Sequence, residues 1–175
     1  KPGQLAYGSS GSGAINHLTG ELFNSMTGTK LVHVPYKGGG PAAVALLSGE
    51  IGLIFGEPAT LVGFIKSGKV RAIAVTSAKR SLSFPELPTV AESGVPGYEV
   101  TSWNGMLAPA GTPADIIKRL NAEYNKIIAE PEMHKRMLTN GYEAVGGPPE
   151  KFGEFIRAET AKWAPVVKKA GVRVD

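Results

Sequence analysis

The chain has 175 residues, 42% of them hydrophobic and 19% charged, which predicts one folded domain or slightly more and excludes a disordered chain. It contains no cysteine, which excludes a disulfide scaffold, a thiolate metal site and a cysteine nucleophile. The net charge is +4, with a net +2 in residues 1–100 and a net +2 in residues 101–175, and this even spread argues against a nucleic-acid partner.

The first hundred residues alternate between predicted strands and predicted helices. Apolar and β-branched runs predict strands at residues 4–7, 31–34, 51–55 and 70–75. Helical spacing and helix-ending glycines predict helices at residues 15–28, 42–47 and 58–65, and a short one at 88–92. This β-α-β-α-β-α-β order predicts an open α/β sheet with mostly parallel strands.

The pattern changes after residue 97. Residues 98–108 are predicted to be extended, and Thr112 is predicted to cap a helix whose first residue is Pro113. A short helix is predicted after Pro131 and a long one after residues 148–149, with Pro165 causing a kink or marking its end region. The apolar faces of these helices are wider than the first-half sheet can cover, so we expect further chain to pack on them.

The start of the chain predicts a mature or truncated form. It begins Lys1-Pro2-Gly3, without methionine or the apolar core of a signal peptide, and enters a predicted strand almost at once. We therefore expect a natural N-terminus upstream.

A glycine-serine loop at residues 8–13 lies between a predicted strand and a predicted helix. Glycine lets a ligand approach the backbone, and free N–H groups at a helix start favour an anion. An ordinary turn with Ser12 as the helix cap explains the same pattern, so the spacing leaves both interpretations open. The candidate ligand-binding residues here are Ser9, Ser10, Gly11, Ser12 and Gly13.

Two further loops follow the next two predicted strands. The first supplies the candidates Tyr36, Lys37, Gly38 and Gly39, although a solvated surface lysine is the simpler explanation for Lys37. The second supplies Glu57, which either complements a helix start or forms the floor of a cleft and holds a water or a ligand amine. Parallel strands would place all three loops at one edge, where open α/β sheets bind ligands.

More specific chemistries do not fit. The first loop lacks the Gly-Lys-Ser/Thr of a phosphate-binding P-loop, the Gly-x-Ser-x-Gly of a nucleophile elbow and the last small residue of a dinucleotide fingerprint, where Asn16 stands. The three histidines have no metal or acid–base spacing, and we expect His17 to pack or cap locally and His33 to be structural. We predict no catalytic residue, metal ligand or cofactor.

Ordered motifs along almost the whole chain resemble one family. They are residues 8–13 with 17–23, then 34–39, 45–51, 67–75, 88–94, and Ser102-Trp103-Asn104-Gly105 through Ala108-Pro109-Ala110-Gly111-Thr112-Pro113. Together they resemble the Bug family, the TctC-like solute-binding receptors of tripartite tricarboxylate transporters.

The resemblance implies a periplasmic-binding-protein-like, two-lobe α/β receptor that closes on a small organic carboxylate or dicarboxylate and delivers it to the transporter's membrane components. Residues 1–99 would form the second lobe, and 100–175 the crossing segment and C-terminal helices of the first lobe, whose N-terminal portion is absent. It also implies that the first loop offers amides and hydroxyls to the ligand, that residues 36–39 line the cleft, and that Glu57 replaces an aspartate-type acid, displaced by Gly56.

Alternatives remain open from sequence. A chain of this length would swap domains, associate with a missing N-terminal segment, or fail to bind ligand. A ligand-sensing effector domain of a transcription regulator has a similar two-lobe fold, although no DNA-binding motif is present here. An enzyme acting on a phosphorylated or acyl substrate at the same loops would need a general base near Ser10 or Ser12, and the sequence offers none.

Overall fold

The computed structural model describes residues 3–171, and its centre is a sheet of three parallel strands. They are β1 (Ala6–Ser9), β2 (Val32–Pro35) and β3 (Leu53–Ile54), in the order β2-β1-β3. Gly8 of β1 pairs with Val34 on one side and with Ile54 on the other. The predicted open sheet of parallel strands is therefore confirmed, with strand bounds displaced by one or two residues.

Each strand is followed by a helix. These helices are α1 (Ile15–Thr27), α2 (Gly39–Ser48) and α3 (Pro58–Lys66). The first two end at Gly28 and Gly49, whose φ values of 70° and 78° lie in the left-handed region that only glycine adopts at low cost. Ala42, Ala43 and Ala45 of α2 are buried, so small side chains let this helix lie close to the sheet.

Tyr7 is the centre of the core. Its side chain is 0% exposed and contacts Phe55 edge-to-face, with ring centroids 5.7 Å apart. Its hydroxyl lies 3.1 Å from the His17 carbonyl oxygen and 2.9 Å from Glu21 Oε1, so β1 is fixed to α1 by a buried polar contact. Burial raises the pKa of the Tyr7 hydroxyl, which keeps it protonated as a donor.

A second buried tyrosine joins distant parts of the chain. Tyr98 is 1% exposed, and its hydroxyl donates to the carbonyl oxygen of Thr19 at 2.9 Å. Thr19 lies in α1, so the segment after the sheet packs against the same helix as Tyr7.

The predicted strand at 70–75 is wrong. Only Val75 pairs, through a single parallel bridge to Thr89, and Ile73 is 62% exposed. A strand needs a neighbouring strand to accept its hydrogen bonds, and an alternating apolar pattern reports burial rather than pairing. No described strand lies beside this segment.

The predicted helix at 88–92 is also wrong, because the segment forms turns. Thr89 N–H donates to Glu92 Oε2 at 2.9 Å and Glu92 N–H donates to Thr89 Oγ1 at 3.0 Å, as in a capping box. One turn closes, but Gly94 has a φ of 110° and Pro96 has no N–H, so the helix does not extend.

Three helices follow residue 113. They are α4 (Ala114–Ala129), α5 (Pro131–Thr139) and α6 (Pro149–Ala170). The predicted Thr112 cap is wrong: the Thr112 hydroxyl donates to the Pro109 carbonyl oxygen at 2.8 Å, and Pro113 occupies the cap position. Pro165 lies within α6, which continues to Ala170.

The last three helices contribute no buried side chain. On α4, Ile116, Leu120 and Ile127 are each more than 40% exposed, as the width of the apolar faces predicted. Helix α6 meets the first half through α1, where Lys169 Nζ donates to Ser25 Oγ at 2.8 Å. Among residues 3–171, no helix combines the length and apolarity that a membrane crossing requires.

Adding a methyl group should have opposite effects on stability at two helical glycines, because only one of them packs against Tyr7 of β1. A Cβ at Gly20 would overlap the ring of buried Tyr7, whereas a Cβ at Gly63 in α3 meets nothing within 4 Å. We expect Gly20→Ala to lower the free energy of unfolding by about 1–3 kcal/mol through overpacking. Gly63→Ala should raise it by up to about 1 kcal/mol through helix propensity.

Urea unfolding at neutral pH measures both changes, and Gly63→Ala serves as the matched control for the added methyl group. A Gly20→Ala variant as stable as the parent would contradict the close contact between α1 and Tyr7.

Candidate functional site

One cavity of about 190 Å³ lies at the carboxyl edge of the sheet. All three loops that follow the strands contribute to it, together with the first turns of the helices. The lining residues are Ser10, Asn16, Gly39, Ile54, Gly56, Glu57, Thr60 and Leu61. The sequence prediction that the three loops share one edge is therefore confirmed by the parallel strands and by the cavity between them.

The first loop is folded around two polar side chains. Asn16 Oδ1 accepts hydrogen bonds from Ser10 N–H at 3.2 Å and from Ser10 Oγ–H at 3.1 Å, and Asn16 is 7% exposed. Gly11 and Gly13 have φ values of 145° and 80°, which a side chain would disfavour. Asn16 therefore holds Ser10 at the cavity wall.

The hydrogen bonds of the described residues leave the Asn16 Nδ2 group without a protein acceptor, although the side chain lines the cavity. An amide NH₂ carries two N–H donors, so this group is available to an acceptor inside the cavity.

The second loop is tied to the first by the backbone. Tyr36 N–H donates to the Ser9 carbonyl oxygen at 3.0 Å, and Gly38 N–H donates to the Ser10 carbonyl oxygen at 3.1 Å. The Tyr36 hydroxyl donates to Glu50 Oε1 at 2.7 Å. This hydrogen bond raises the pKa of the Tyr36 hydroxyl and orients the hydroxyl toward Glu50.

Three helix starts surround the cavity. The first turns of α1, α2 and α3 contain no acidic residue, and the side chains at their cap positions make no capping hydrogen bond. Helices α4, α5 and α6, by contrast, each carry an acidic residue in the first turn. The starts of α1 and α2 therefore present their partial positive charge at the cavity without an acidic side chain, whereas α3 has Glu57 at its cap position.

Glu57 is the one charged side chain in the lining. It occupies the cap position of α3 without capping it, and Ser102 Oγ donates to its Oε1 at 3.4 Å. Among the described residues, no basic group lies within salt-bridge distance of it. Its carboxylate is available as a hydrogen-bond acceptor.

The candidates from sequence separate into two groups by position. Ser10, Gly39 and Glu57 line the cavity. The others lie in the same loops but outside the lining: Ser9 is fully buried, Ser12 and Lys37 are exposed, and Gly11, Gly13, Tyr36 and Gly38 shape the loops. The alternative in which Ser12 caps α1 is wrong, because the cap position is Ala14 and has no side-chain hydrogen bond.

Sequence reasoning missed Asn16 and Thr60 as lining residues. The sequence analysis named Asn16 only because it occupies the position where a dinucleotide-binding fingerprint requires a small residue. Its position in the first turn after a glycine-rich loop was the available signal, because side chains there point back toward the loop.

Two of the three histidines lie together, although the sequence suggested that all three are isolated. His17 and His33 lie beneath the first loop, and His134 lies in α5. Over residues 3–171, no three side chains of the His, Asp or Glu type converge as metal ligands would.

A second cavity, of about 490 Å³, separates the start of α1 from α6. Leu18, Trp103, Ile156 and Trp163 give it apolar walls, and Trp103 packs edge-to-face on Phe152. It lies on a different side of α1 from Ser10 and Glu57, which line the first cavity only.

The sequence matches the family described as "Tripartite tricarboxylate transporter family receptor" over residues 1–172. A protein from the tcbD-tcbE intergenic region of Pseudomonas sp. strain P51 is 38% identical over 167 residues, which is 95% of this chain and 50% of the relative. The chain thus spans about half the length of the curated relatives it matches first.

Two solved structures have the same fold. Rpa4515 of R. palustris, solved with adipate, superposes with a TM-score of 0.91 at 38% identity, covering 98% of this chain and 57% of that protein. The periplasmic binding protein BugD superposes with a TM-score of 0.84 at 37% identity, covering 97% and 57%. With the family match over nearly every residue, these similarities establish that the chain belongs to the family of tripartite tricarboxylate transporter receptors.

Proposed function

We propose that this protein is a periplasmic solute receptor that captures a small organic dicarboxylate at the carboxyl edge of its sheet and delivers it to a tripartite tricarboxylate transporter. The observation that carries the proposal is the cavity at three helix starts, of which those of α1 and α2 have no acidic side chain at the cap position or in the first turn. The adipate in the similar R. palustris protein and the periplasmic description of BugD support it.

The chemistry of capture follows from the donors at the cavity. The Ser10 hydroxyl proton is used toward Asn16 Oδ1, so Ser10 forms part of the wall and is not counted as a donor to the ligand. The Asn16 Nδ2 group and the Thr60 hydroxyl are uncharged donors, and Gly39 is the first residue of α2, where backbone N–H groups have no helical partner. Such donors hold a carboxylate without a fixed countercharge. No bond to the ligand forms or breaks, so the ligand leaves unchanged.

The remaining candidates from sequence are proposed to act on the loops rather than on the ligand. The Ser9 hydroxyl is hydrogen-bonded to the backbone of Gly11, and the N–H groups of Tyr36 and Gly38 donate to the first loop. Gly11 and Gly13 adopt the positive φ values that the loop requires. We assign no ligand contact to Ser12 or Lys37, whose side chains are exposed.

The two-lobe assignment belongs to the same proposal. We assign residues 1–99 to the second lobe, and 100–175 to the crossing segment and the C-terminal helices of the first lobe. The exposed apolar side chains of α4 and the coverage of 57% of the adipate-bound protein support this division. A segment of longer chain or a swapped second copy would cover those side chains, and closure of the lobes would bury the ligand.

The first prediction tests the donors directly. Asn16→Asp keeps the Oδ1 acceptor for Ser10 but removes the N–H donors and adds a negative charge at the cavity. Losing a hydrogen bond to a charged group costs roughly 1.5–3 kcal/mol, so adipate affinity should fall at least about tenfold. Isothermal titration with adipate and succinate measures this.

Ser12→Ala is the matched control, because Ser12 lies in the same loop but outside the lining. It should change adipate affinity less than about twofold. The proposal fails if neither acid binds the parent protein, or if both variants lose affinity equally.

A second prediction concerns Glu57 and the kind of ligand. A carboxylate in the lining repels a plain dianion but accepts a hydrogen bond from a hydroxyl or ammonium group. We expect Glu57→Gln to bind adipate more tightly, by up to about tenfold, because repulsion across several ångströms at an intermediate dielectric is about 1 kcal/mol. Binding of malate, which has a hydroxyl group, should gain less or weaken.

Glu50→Gln is the control for this exchange, since Glu50 pairs with Tyr36 and lies outside the cavity lining. The ratio of adipate to malate affinity should change in Glu57→Gln only. An unchanged ratio in both variants would show that Glu57 does not face the ligand.

A further inference from the structure

Two imidazole rings are stacked beneath the first loop. His17 of α1 and His33 of β2 have ring centroids 3.7 Å apart and planes inclined by only 8°. His17 is 8% exposed, and the Tyr7 ring covers His33 with a centroid distance of 5.2 Å. We call these two residues the histidine pair.

The hydrogen bond to His17 fixes its protonation state. Gly13 N–H donates to His17 Nδ1 at 3.0 Å, so that nitrogen carries a lone pair and no proton. The ring is therefore neutral, with its proton on Nε2. A proton added to Nδ1 would place two N–H groups against each other and break this contact.

His33 holds the other end of the loop through Ser9. Its Nε2 lies 2.6 Å from Ser9 Oγ. The Ser9 hydroxyl donates to the Gly11 carbonyl oxygen at 3.0 Å and accepts from Gly11 N–H at 3.2 Å. Because the single hydroxyl proton is used toward Gly11, His33 Nε2 is the donor to Ser9.

We propose that His17 and His33 are positioning residues for the carboxylate site, and that ligand capture requires the His17 ring to be neutral. This inference rests on the proposed function. The pair fixes Gly13 and, through Ser9, Gly11, while Asn16 fixes Ser10 between them. Protonation of His17 at Nδ1 would release Gly13 and lower the affinity for a carboxylate, whereas a proton added to His33 at Nδ1 would leave its Nε2–H donor to Ser9 in place.

The surroundings favour neutral rings. Burial lowers the pKa of both histidines, and for His33 burial and the nearby His17 together lower the pKa to about 4. The titratable groups facing the pair from the packed elements are Tyr7 of β1 and Glu21 of α1. The Glu21 carboxylate opposes the effect of burial on His17 but does not reverse it.

The sign of the pH dependence follows from these pKa values. A histidine in the unfolded chain has a pKa of about 6.5, so the unfolded state binds more protons than the folded state below that pH. The contribution of the pair to the free energy of unfolding is therefore complete above about pH 6.5 and is lost as the pH falls toward 4.

Nuclear magnetic resonance of the ligand-free protein tests the positioning role without reference to any ligand. Imidazole ¹⁵N shifts should report neutral rings at pH 7, the Nε2–H form for His17, and titration midpoints below the ordinary value of about 6.5 for both rings. The Gly13 amide signal should shift with the midpoint of His17. A His17 ring that titrates near 6.5 while the Gly13 amide stays unmoved would overturn the inference.

Binding of adipate between pH 7.5 and 5.5 gives the second readout. His17→Gln offers an acceptor to Gly13 that does not titrate, so it should keep binding near pH 7 and flatten the loss of affinity that the parent shows on acidification. His134→Gln, which changes the histidine of α5, should leave the parent profile unchanged. A profile that His17→Gln and His134→Gln leave equally steep would also overturn the inference.

Failure of the proposed function is distinguishable from failure of this inference. If adipate does not bind at any pH, the carboxylate proposal fails, while coupling between the ring signals and the loop amides still decides whether the pair positions the loop.

Discussion

Parallel pairing of β1 with a neighbour on each side determines where every polar group of the candidate site lies. Tyr7 and Gly8 are paired with both neighbouring strands, and the chain turns into the glycine-serine loop after the pairing with β2 ends at Ser9. Because β2 and β3 run in the same direction, their following loops come to the same edge. Three helix starts then converge without any long-range side-chain contact being needed to bring them together.

Close packing on both faces of β1 fixes this arrangement. A Cβ at Gly8 would overlap Ile51, and a Cβ at Gly20 would overlap Tyr7. The buried Tyr7 hydroxyl joins the strand to α1, which carries both Asn16 and His17 into the first loop. The positions of the loop donors therefore depend on the packing of the core, since a shift of α1 along β1 would move both of its loop contacts together.

Much of this arrangement could be predicted from the sequence, because the glycines that separate strands, loops and helices are a local signal. The parallel edge, the three loops and the helices that follow them were predicted from it. The strand at 70–75 was not correctly predicted, because its alternating pattern does not say whether a partner strand exists. Thr112 failed as a cap because α4 begins one residue later than predicted, with Pro113 at the cap position.

The site itself was only partly predictable. Ser10, Gly39 and Glu57 lie in loops that can be recognised in the sequence from their composition. The role of Asn16 depends instead on the direction of its side chain, which is set by the first turn of α1. Sequence spacing shows which residues share a loop, but not which side chains turn toward the cavity and which, like Ser9, turn inward. That choice is made by buried partners on other elements, here His33 of β2.

The hydrogen-bond donors that line the cavity at this edge of the sheet are uncharged, and this has a physical consequence. A lysine or arginine in the cavity would hold a carboxylate strongly whether the site was open or closed, because the charge acts over several ångströms. Hydrogen bonds from hydroxyls, amides and helix starts act only at contact distance. In the proposed site, affinity would depend on the exact loop conformation, so groups beneath the loop, such as His17 and His33, would influence ligand capture although neither lines the cavity.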